Sequence, residues 1–166
     1  MYNIRVANQG DIPAIIHIAE NTWWPTYSPI LPSEQIRYML DKIYSLGTLS
    51  KAMSNGSETF LLLQDETGYH GFASFGLRKE DATIYKLHKI YVLPESHGKG
   101  YGKILIEEVK SRMMKHHIFR LDLNVNRFNP ARTFYEKLGF RILREEDVPV
   151  GPYWMNDYVM RLELKV

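Results

Sequence analysis

The 166-residue chain contains no cysteine, so disulfides, thiolate metal sites and cysteine nucleophiles are excluded together. No metal site is expected. It also has no uninterrupted run of about eighteen apolar residues, and Met1 to Val6 shows no basic-then-apolar leader. A cytoplasmic protein that stays out of membranes is the expectation. An excess of one charge is missing too. The 21 basic and 19 acidic residues are interspersed and sum to +2, so nothing calls for a nucleic acid or an anionic membrane as partner. Repeats, linkers and low-complexity stretches are likewise absent. With 45% hydrophobic residues, residues 1–166 read as one domain.

The pattern of apolar residues gives the elements. Residues 2–6 alternate as a strand, and Asp11 stands as an N-cap ahead of Ile12, Ile15, Ile16 and Ala19 at helical spacing. That helix is expected to end near Glu20, because Trp23 to Pro32 carries three prolines among three aromatics. Ser33 is the expected cap of a second helix through Tyr44, and a short helical piece follows from Gly47 to Asn55. From Thr59 the period changes to two. Phe60 to Leu63 and Gly71 to Leu77 form a hairpin across Asp65 to Gly68. In the strand from Ile84 to Leu93, alternation puts Ile84, Lys86, His88, Ile90 and Val92 on one face and Tyr85, Leu87, Lys89 and Tyr91 on the other.

A helix with Ile106, Val109 and Met113 on its apolar face follows, and then a strand on which Leu121, Leu123 and Val125 alternate with polar residues. Asn129 reads as an N-cap with Pro130 at the first helical position and Gly139 as the stop; Ala131, Phe134, Tyr135 and Leu138 share a face. Two last strands, near Phe140 to Leu143 and Tyr153 to Leu164, flank a loop with Pro149, Gly151 and Pro152. The order βααβββαβαββ predicts an α/β (α+β) fold: a mixed, mostly antiparallel central sheet of about seven strands with helices on both faces. The two terminal strands would leave open edges, through which a homodimer is conceivable.

His97-Gly98-Lys99-Gly100-Tyr101-Gly102 stands between the Ile84 to Leu93 strand and the Ile106 helix. Glycine lets backbone amides face an anion without a Cβ in the way, and the free N–H groups of a helix start attract negative charge. The segment predicts a phosphate cradle, with pyrophosphate the best-fitting anion. A P-loop is excluded, since the GxxxxGK[ST] spacing is missing and Ile104 follows Lys103. A dinucleotide site fits poorly. Asp122 lies about twenty residues on, where the ribose-binding acid of that site would be, but it sits mid-strand and the glycines come late in the chain.

The segments IYVLPESHGKGYGKILI (Ile90 to Ile106) and NRFNPARTFYEKLGF (Asn126 to Phe140) together resemble the GNAT superfamily of acyl-CoA-dependent N-acetyltransferases, and the resemblance covers nearly the whole chain. It implies acetyl-CoA as co-substrate. The backbone of Ile90, Tyr91 and Val92 would meet the pantetheine arm, and the amides of His97 to Lys103 the pyrophosphate. His97 departs from the glutamine or arginine usual at the first loop position. Lys99, Lys103 and Arg132 would add charge near the phosphates, or serve as solvated helix residues. Asn129 would touch the cofactor arm as well as cap its helix.

Acetyl transfer from a thioester to an amine needs a neutral amine and a proton for the departing thiolate. A tyrosine remains protonated at neutral pH yet can protonate sulfur. By resemblance Tyr135 is that acid; otherwise it is a half-buried aromatic of its helix face. Lys86 replaces the glutamate that serves as base in some relatives. His88, two residues along, titrates near neutrality by default and is the candidate base, with a water chain as the alternative.

Trp23, Trp24 and Tyr27, together with Tyr153, Trp154 and Asp157, are expected to wall the acceptor pocket, because cations sit well over aromatic faces and beside carboxylates. The arrangement TWWPTYSPILPSEQI and the ending DYVMRLEL are loosely similar to the bacterial spermidine/spermine-type branch. That similarity implies a small primary amine, with a polyamine the leading candidate. The competing reading is a non-catalytic acyl-CoA-binding sensor or interaction module.

Overall fold

In a computed structural model, which describes residues 1–165, the chain forms one seven-stranded sheet in the order β1-β2-β3-β4-β5-β7-β6. The strands are β1 (Asn3–Val6), β2 (Thr59–Asp65), β3 (Gly68–Leu77), β4 (Tyr85–Val92), β5 (Arg120–Asn126), β6 (Arg141–Val150) and β7 (Tyr153–Glu163). The helices are α1 (Ile12–Tyr27), α2 (Ser33–Ile43), α3 (Leu46–Ser54), α4 (Tyr101–Lys115) and α5 (Ala131–Lys137). Every pairing is antiparallel except β4 with β5. One face packs α1, α2 and α3 on Phe60, Leu62 and Phe72. The other packs α4 and α5 on Leu61, Leu63, Leu87, Leu121 and Leu123. The expected mixed sheet with helices on both faces is therefore present, with α3 as a third helix between β1 and β2. The Ser45 hydroxyl accepts the Thr48 N–H at 3.1 Å and starts that helix.

Several local expectations are corrected. Helix α1 does not stop at Glu20 but runs through Pro25 to Tyr27. Ile15, Ile18, Ala19, Thr22, Trp23 and Tyr27 keep a buried face at helical spacing, and the Trp23 and Tyr27 rings lie 4.5 Å apart. Tertiary packing of that face outweighs the proline. Asp11 occupies the N-cap position of α1, but its side chain makes no cap bond to the helix. Its carboxylate accepts two 2.8 Å bonds from Arg5 and one from the Asn8 N–H, and the Asn8 side chain caps the preceding 3₁₀ turn. Ser33 is the first helical residue of α2, behind Pro32. Phe134 leaves the core face of α5 for the start of α4, its ring lying where a Cβ on Gly102 would be 3.2 Å away.

At the C-terminal end, β6 extends through Pro149 to Val150 as the partner of β7. It is an edge strand, where the missing proline N–H breaks no ladder. The open edges are thus β1 and β6, while β7 lies between β5 and β6. Arg141, Arg144, Glu145, Glu146 and Asp147 line β6, and charge of that density discourages edge-to-edge pairing.

Candidate active site

Among the described residues one seam of the sheet is parallel, and the candidate site lies beside it. β4 and β5 pair over three positions, Tyr85 with Leu121 to Leu87 with Leu123, and no further. Beyond Leu87 a bulge interrupts β4: Ser74 of β3 opposes Lys89 and Phe75 opposes Leu87, leaving His88 as the extra residue. A bulge bends its strand and re-aims the side chains after it. Strict alternation therefore fails. Ile90 and Val92 join Leu87 on the α4 face, while Tyr91 packs on the α1 face. Past the seam the strands splay around a cavity of about 750 Å³. Its walls include His88 to Val92 of β4, Asn124 and Val125 of β5, Tyr27 of α1, His97, Phe128, Asn129 and Tyr135.

Three phenols meet at the floor of this wedge. Burial raises the pKa of Tyr27, Tyr91 and Tyr135 well above the usual tyrosine value, and each is further raised by a neighbouring phenol. All three hold their protons at neutral pH. Tyr135 packs edge-on against Phe134 and Phe140, and among the described residues no intramolecular hydrogen bond engages its hydroxyl. The expected cap shifts by one residue: Pro130 is the N-cap of α5, and Asn129 just before it closes the entering turn, its side-chain carbonyl accepting the Ala131 N–H at 2.9 Å. It also lines the cavity.

His88 reaches solvent through the cavity. Enclosure by the wedge walls, opposed by Glu58 and assisted by Lys89, Lys86 and Arg78, lowers its pKa to about 4. The expected titration near neutrality is thus corrected, and the imidazole is neutral at physiological pH. Glu58 does not line the cavity but pairs with Lys89, which does. It accepts from Lys89 Nζ and Ser74 Oγ, both at 2.7 Å, and these two partners overcome burial to hold its carboxyl below the usual range. Burial lowers the Lys86 pKa, assisted by Arg78, and raises that of Asp157.

At the far end of β4 the chain turns through Pro94–Ser96 into the glycine segment. Gly98 and Gly100 have φ of 85° and 77°, and nothing lies within 4 Å of the Cβ either would carry. Helix α4 begins at Tyr101, its first intrahelical-type bond running from the Ile104 N–H to the Gly100 carbonyl. Among the described residues, no backbone or side-chain acceptor reaches the six amides from Gly98 to Lys103. Such a row of free N–H groups at the start of a 15-residue helix suits a pyrophosphate. The His97 side chain folds inward, with Nε2 2.9 Å from the Val92 carbonyl.

The remaining sequence-derived candidates lie farther out. Lys99 stacks 5.9 Å from the Tyr101 ring, and Lys103 borders a separate hollow with Tyr2, Ile4 and Glu107. Arg132 pairs with Glu136 at 3.4 Å and covers the Tyr158 ring. Of the six expected acceptor-wall residues, only Tyr27 lines the cavity. Trp23 is core, next to Tyr44 and Tyr91, and Trp24 sits on the outer side of α1 with Glu20 and Arg37. Tyr153 packs at a tilt of 60° against Tyr38 of α2, and Trp154 is 57% exposed with its carbonyl accepting from Gln35. Asp157 is buried beside Asn124, which donates to its Oδ2 at 3.2 Å. Phe128, exposed at the cavity mouth, is an addition that its place in the NRFNP turn hinted at.

The comparisons with known proteins agree with this geometry. The family model described as an acetyltransferase (GNAT) domain matches residues 28–162. A spermidine N(1)-acetyltransferase of Thermoplasma acidophilum is 29% identical over 144 residues, covering 84% of this chain and 88% of the relative. An uncharacterized N-acetyltransferase of Mycobacterium tuberculosis is 28% identical over 155 residues, covering 93% and 98%. Among solved structures, the PaiA N-acetyltransferase of Thermoplasma acidophilum in complex with coenzyme A superposes with a TM-score of 0.84 at 28% identity, over 98% of this chain and 99% of that one. The splayed β4–β5 seam and the free amides of the glycine turn are what a coenzyme A thioester requires of a protein, and the chain belongs to the GNAT family as an acetyl-CoA-dependent N-acetyltransferase.

Proposed function

We propose that the protein acetylates the primary amine of a small cationic molecule, a polyamine first among the candidates, by direct attack in a ternary complex. The observation that carries this reading is the cavity that gathers His88, the Ile90 to Val92 stretch of β4, Tyr135 and His97, with the free amides of Gly98 to Lys103 following His97 directly in the chain. Bound acetyl-CoA would supply an activated acetyl thioester. In this reading the loop amides hold the pyrophosphate, and the backbone of Ile90, Tyr91 and Val92 runs beside the arm. Lys99, Lys103 and Arg132 contribute long-range positive charge, and Asn129 fixes the α5 start against the donor.

Two protons must move. The neutral His88 ring accepts one from the attacking amine and passes it to water in the open cavity. Tyr135 keeps its phenolic proton until the sulfur departs. The cationic acceptor is supported by Asn124, a cavity-wall residue whose Oδ1 is buried without a hydrogen-bond partner among the described residues. Unpaired acceptor oxygens of this kind favour an ammonium donor over an anion. The spermidine-acetylating relative adds weight to the same class.

The test is thiol release from acetyl-CoA across a panel of polyamines, amino acids, peptides and aminoglycosides. The reading expects polyamines to give the highest kcat/KM. Tight acetyl-CoA binding with no release for any amine would instead favour a non-catalytic sensor.

A further inference from the structure

The turn between β2 and β3 carries a polar network with no part in the chemistry above. Leu63 pairs with Gly71 and Gln64 with Tyr69, so His70 is the extra residue of a second bulge. Its re-aimed ring is 8% exposed, with Nε2 2.7 Å from Asp65 Oδ1 and Nδ1 2.6 Å from Ser96 Oγ. A proton on Nε2 satisfies both contacts: His70 donates to Asp65 and accepts from the Ser96 hydroxyl. Asp65 Oδ1 also accepts the Thr67 N–H and hydroxyl at 2.8 and 2.6 Å, and Oδ2 accepts the Tyr101 hydroxyl at 3.1 Å. The His70 carbonyl accepts the Leu93 N–H at 2.8 Å. Although Ser96, His70 and Asp65 stand in the order of a nucleophilic triad, Ser96 is 1% exposed and cannot meet a substrate.

The network's two outer hydroxyls flank the glycine segment. Ser96 closes the 3₁₀ turn before His97, and Tyr101 is the first residue of α4. Between them stand the glycines at positive φ, where the backbone has the greatest freedom to lose. We propose that Asp65 and His70 are positioning residues for the acetyl donor: through Ser96 and Tyr101 they pin both ends of the glycine loop, so that its amides converge before the pyrophosphate arrives. This rests on the reading of that loop as the pyrophosphate site. Ordering a loop in advance lowers the cost of binding, so the effect belongs to donor affinity and not to the chemical step.

The experiment compares acetyl-CoA with acetyl-pantetheine, which carries the thioester and arm but no pyrophosphate, in the wild-type protein and in His70→Leu and Ser96→Ala. The wild type is expected to have the lower KM for acetyl-CoA. Ser96→Ala, which loses one buried hydrogen bond, should raise that KM by roughly fivefold to fiftyfold, and His70→Leu, which loses two, by at least as much. Their KM for acetyl-pantetheine and their kcat with either donor should stay level. Should His70→Leu fail to fold, Ser96→Ala, which removes a single hydroxyl, carries the comparison. An equal rise in both KM values, or a matching fall in kcat, makes the network merely structural and overturns the proposal. A wild type that does not distinguish the two donors overturns the loop reading, and the clamp falls with it.

Discussion

Tyr135→Phe isolates the proposed acid from everything else that the side chain does. The ring packs against Phe134 and Phe140 at 5.4 and 5.7 Å between centroids, contacts that phenylalanine keeps. Because no internal hydrogen bond is lost, stability should change by no more than about 0.5 kcal/mol. Only the phenolic proton goes. General acids typically contribute about 10²- to 10⁴-fold. Burial lifts the Tyr135 pKa well above the ordinary phenol value, and hence far above the roughly 8.5 of a free thiol. Proton transfer is therefore uphill, which places the expected loss near 10²-fold in kcat, or about 2.7 kcal/mol of barrier. The deficit should narrow as pH rises past the thiol pKa, where sulfur departs without needing a proton. Thiol release at saturating acetyl-CoA gives kcat, and calorimetric titration with coenzyme A gives affinity. A kcat within about twofold of wild type, against that 10²-fold expectation, would refute the acid role, as would a collapse of coenzyme A affinity with unchanged turnover per bound donor.

Two further perturbations probe the wedge and its seam. Enclosure in the wedge pushes the His88 imidazole down from its ordinary 6.5 to about 4. Its neutral form is complete above that range, so any contribution as a base is lost only as pH falls through about 4. The same depression stabilises the fold above pH 6.5 and loses that stabilisation as pH falls toward 4, because the unfolded chain binds the proton first. An NMR titration of its ring protons should give a midpoint well below 6.5, and a midpoint at or above 6.5 would contradict the enclosure described for it. Asp122 is 1% exposed and accepts from Arg78 Nε at 2.9 Å and from Arg161 Nε and Nη2 at 2.7 and 3.0 Å. Asp122→Ala leaves two arginines facing each other beside the β4–β5 seam, which should cost about 3–5 kcal/mol. In a chain of this length that lowers Tm by roughly 6–20 °C. A loss below about 1 kcal/mol in urea unfolding would show that the arginines find other partners.

Legibility from sequence followed the range of the interactions. The glycine turn, the hairpin at Asp65 to Gly68 and the alternation of β5 depend on neighbours in the chain, and each appeared where its residues placed it. The continuation of α1 through Pro25 did not, since it depends on Trp23 and Tyr27 meeting Tyr44 and Tyr91 from distant segments. Nor did the bulge at His88. Residues 84–93 alternate well enough to suggest a regular strand, and only pairing with Ser74 and Phe75 reveals the extra residue. That one-residue slip moves Ile90 and Val92 to the other face and accounts for the misplaced half of the strand. The tryptophans near Pro25 and Pro152 looked like pocket walls because aromatics mark pockets and cores alike, and burial decides between the two. Asp122, which its spacing made a candidate ribose acid, is instead fully engaged by Arg78 and Arg161.

The most direct measurement follows the backbone amides while coenzyme A is titrated into ¹⁵N-labelled protein. The amides of Gly98 to Lys103, which lack internal acceptors, should move downfield together as they acquire phosphate oxygens. Ile90 and Val92 should shift with the same saturation curve. Saturable shifts that spare the glycine turn, or that cluster on the outer face around Trp24 and Trp154, would contradict the placement of the donor in the β4–β5 wedge.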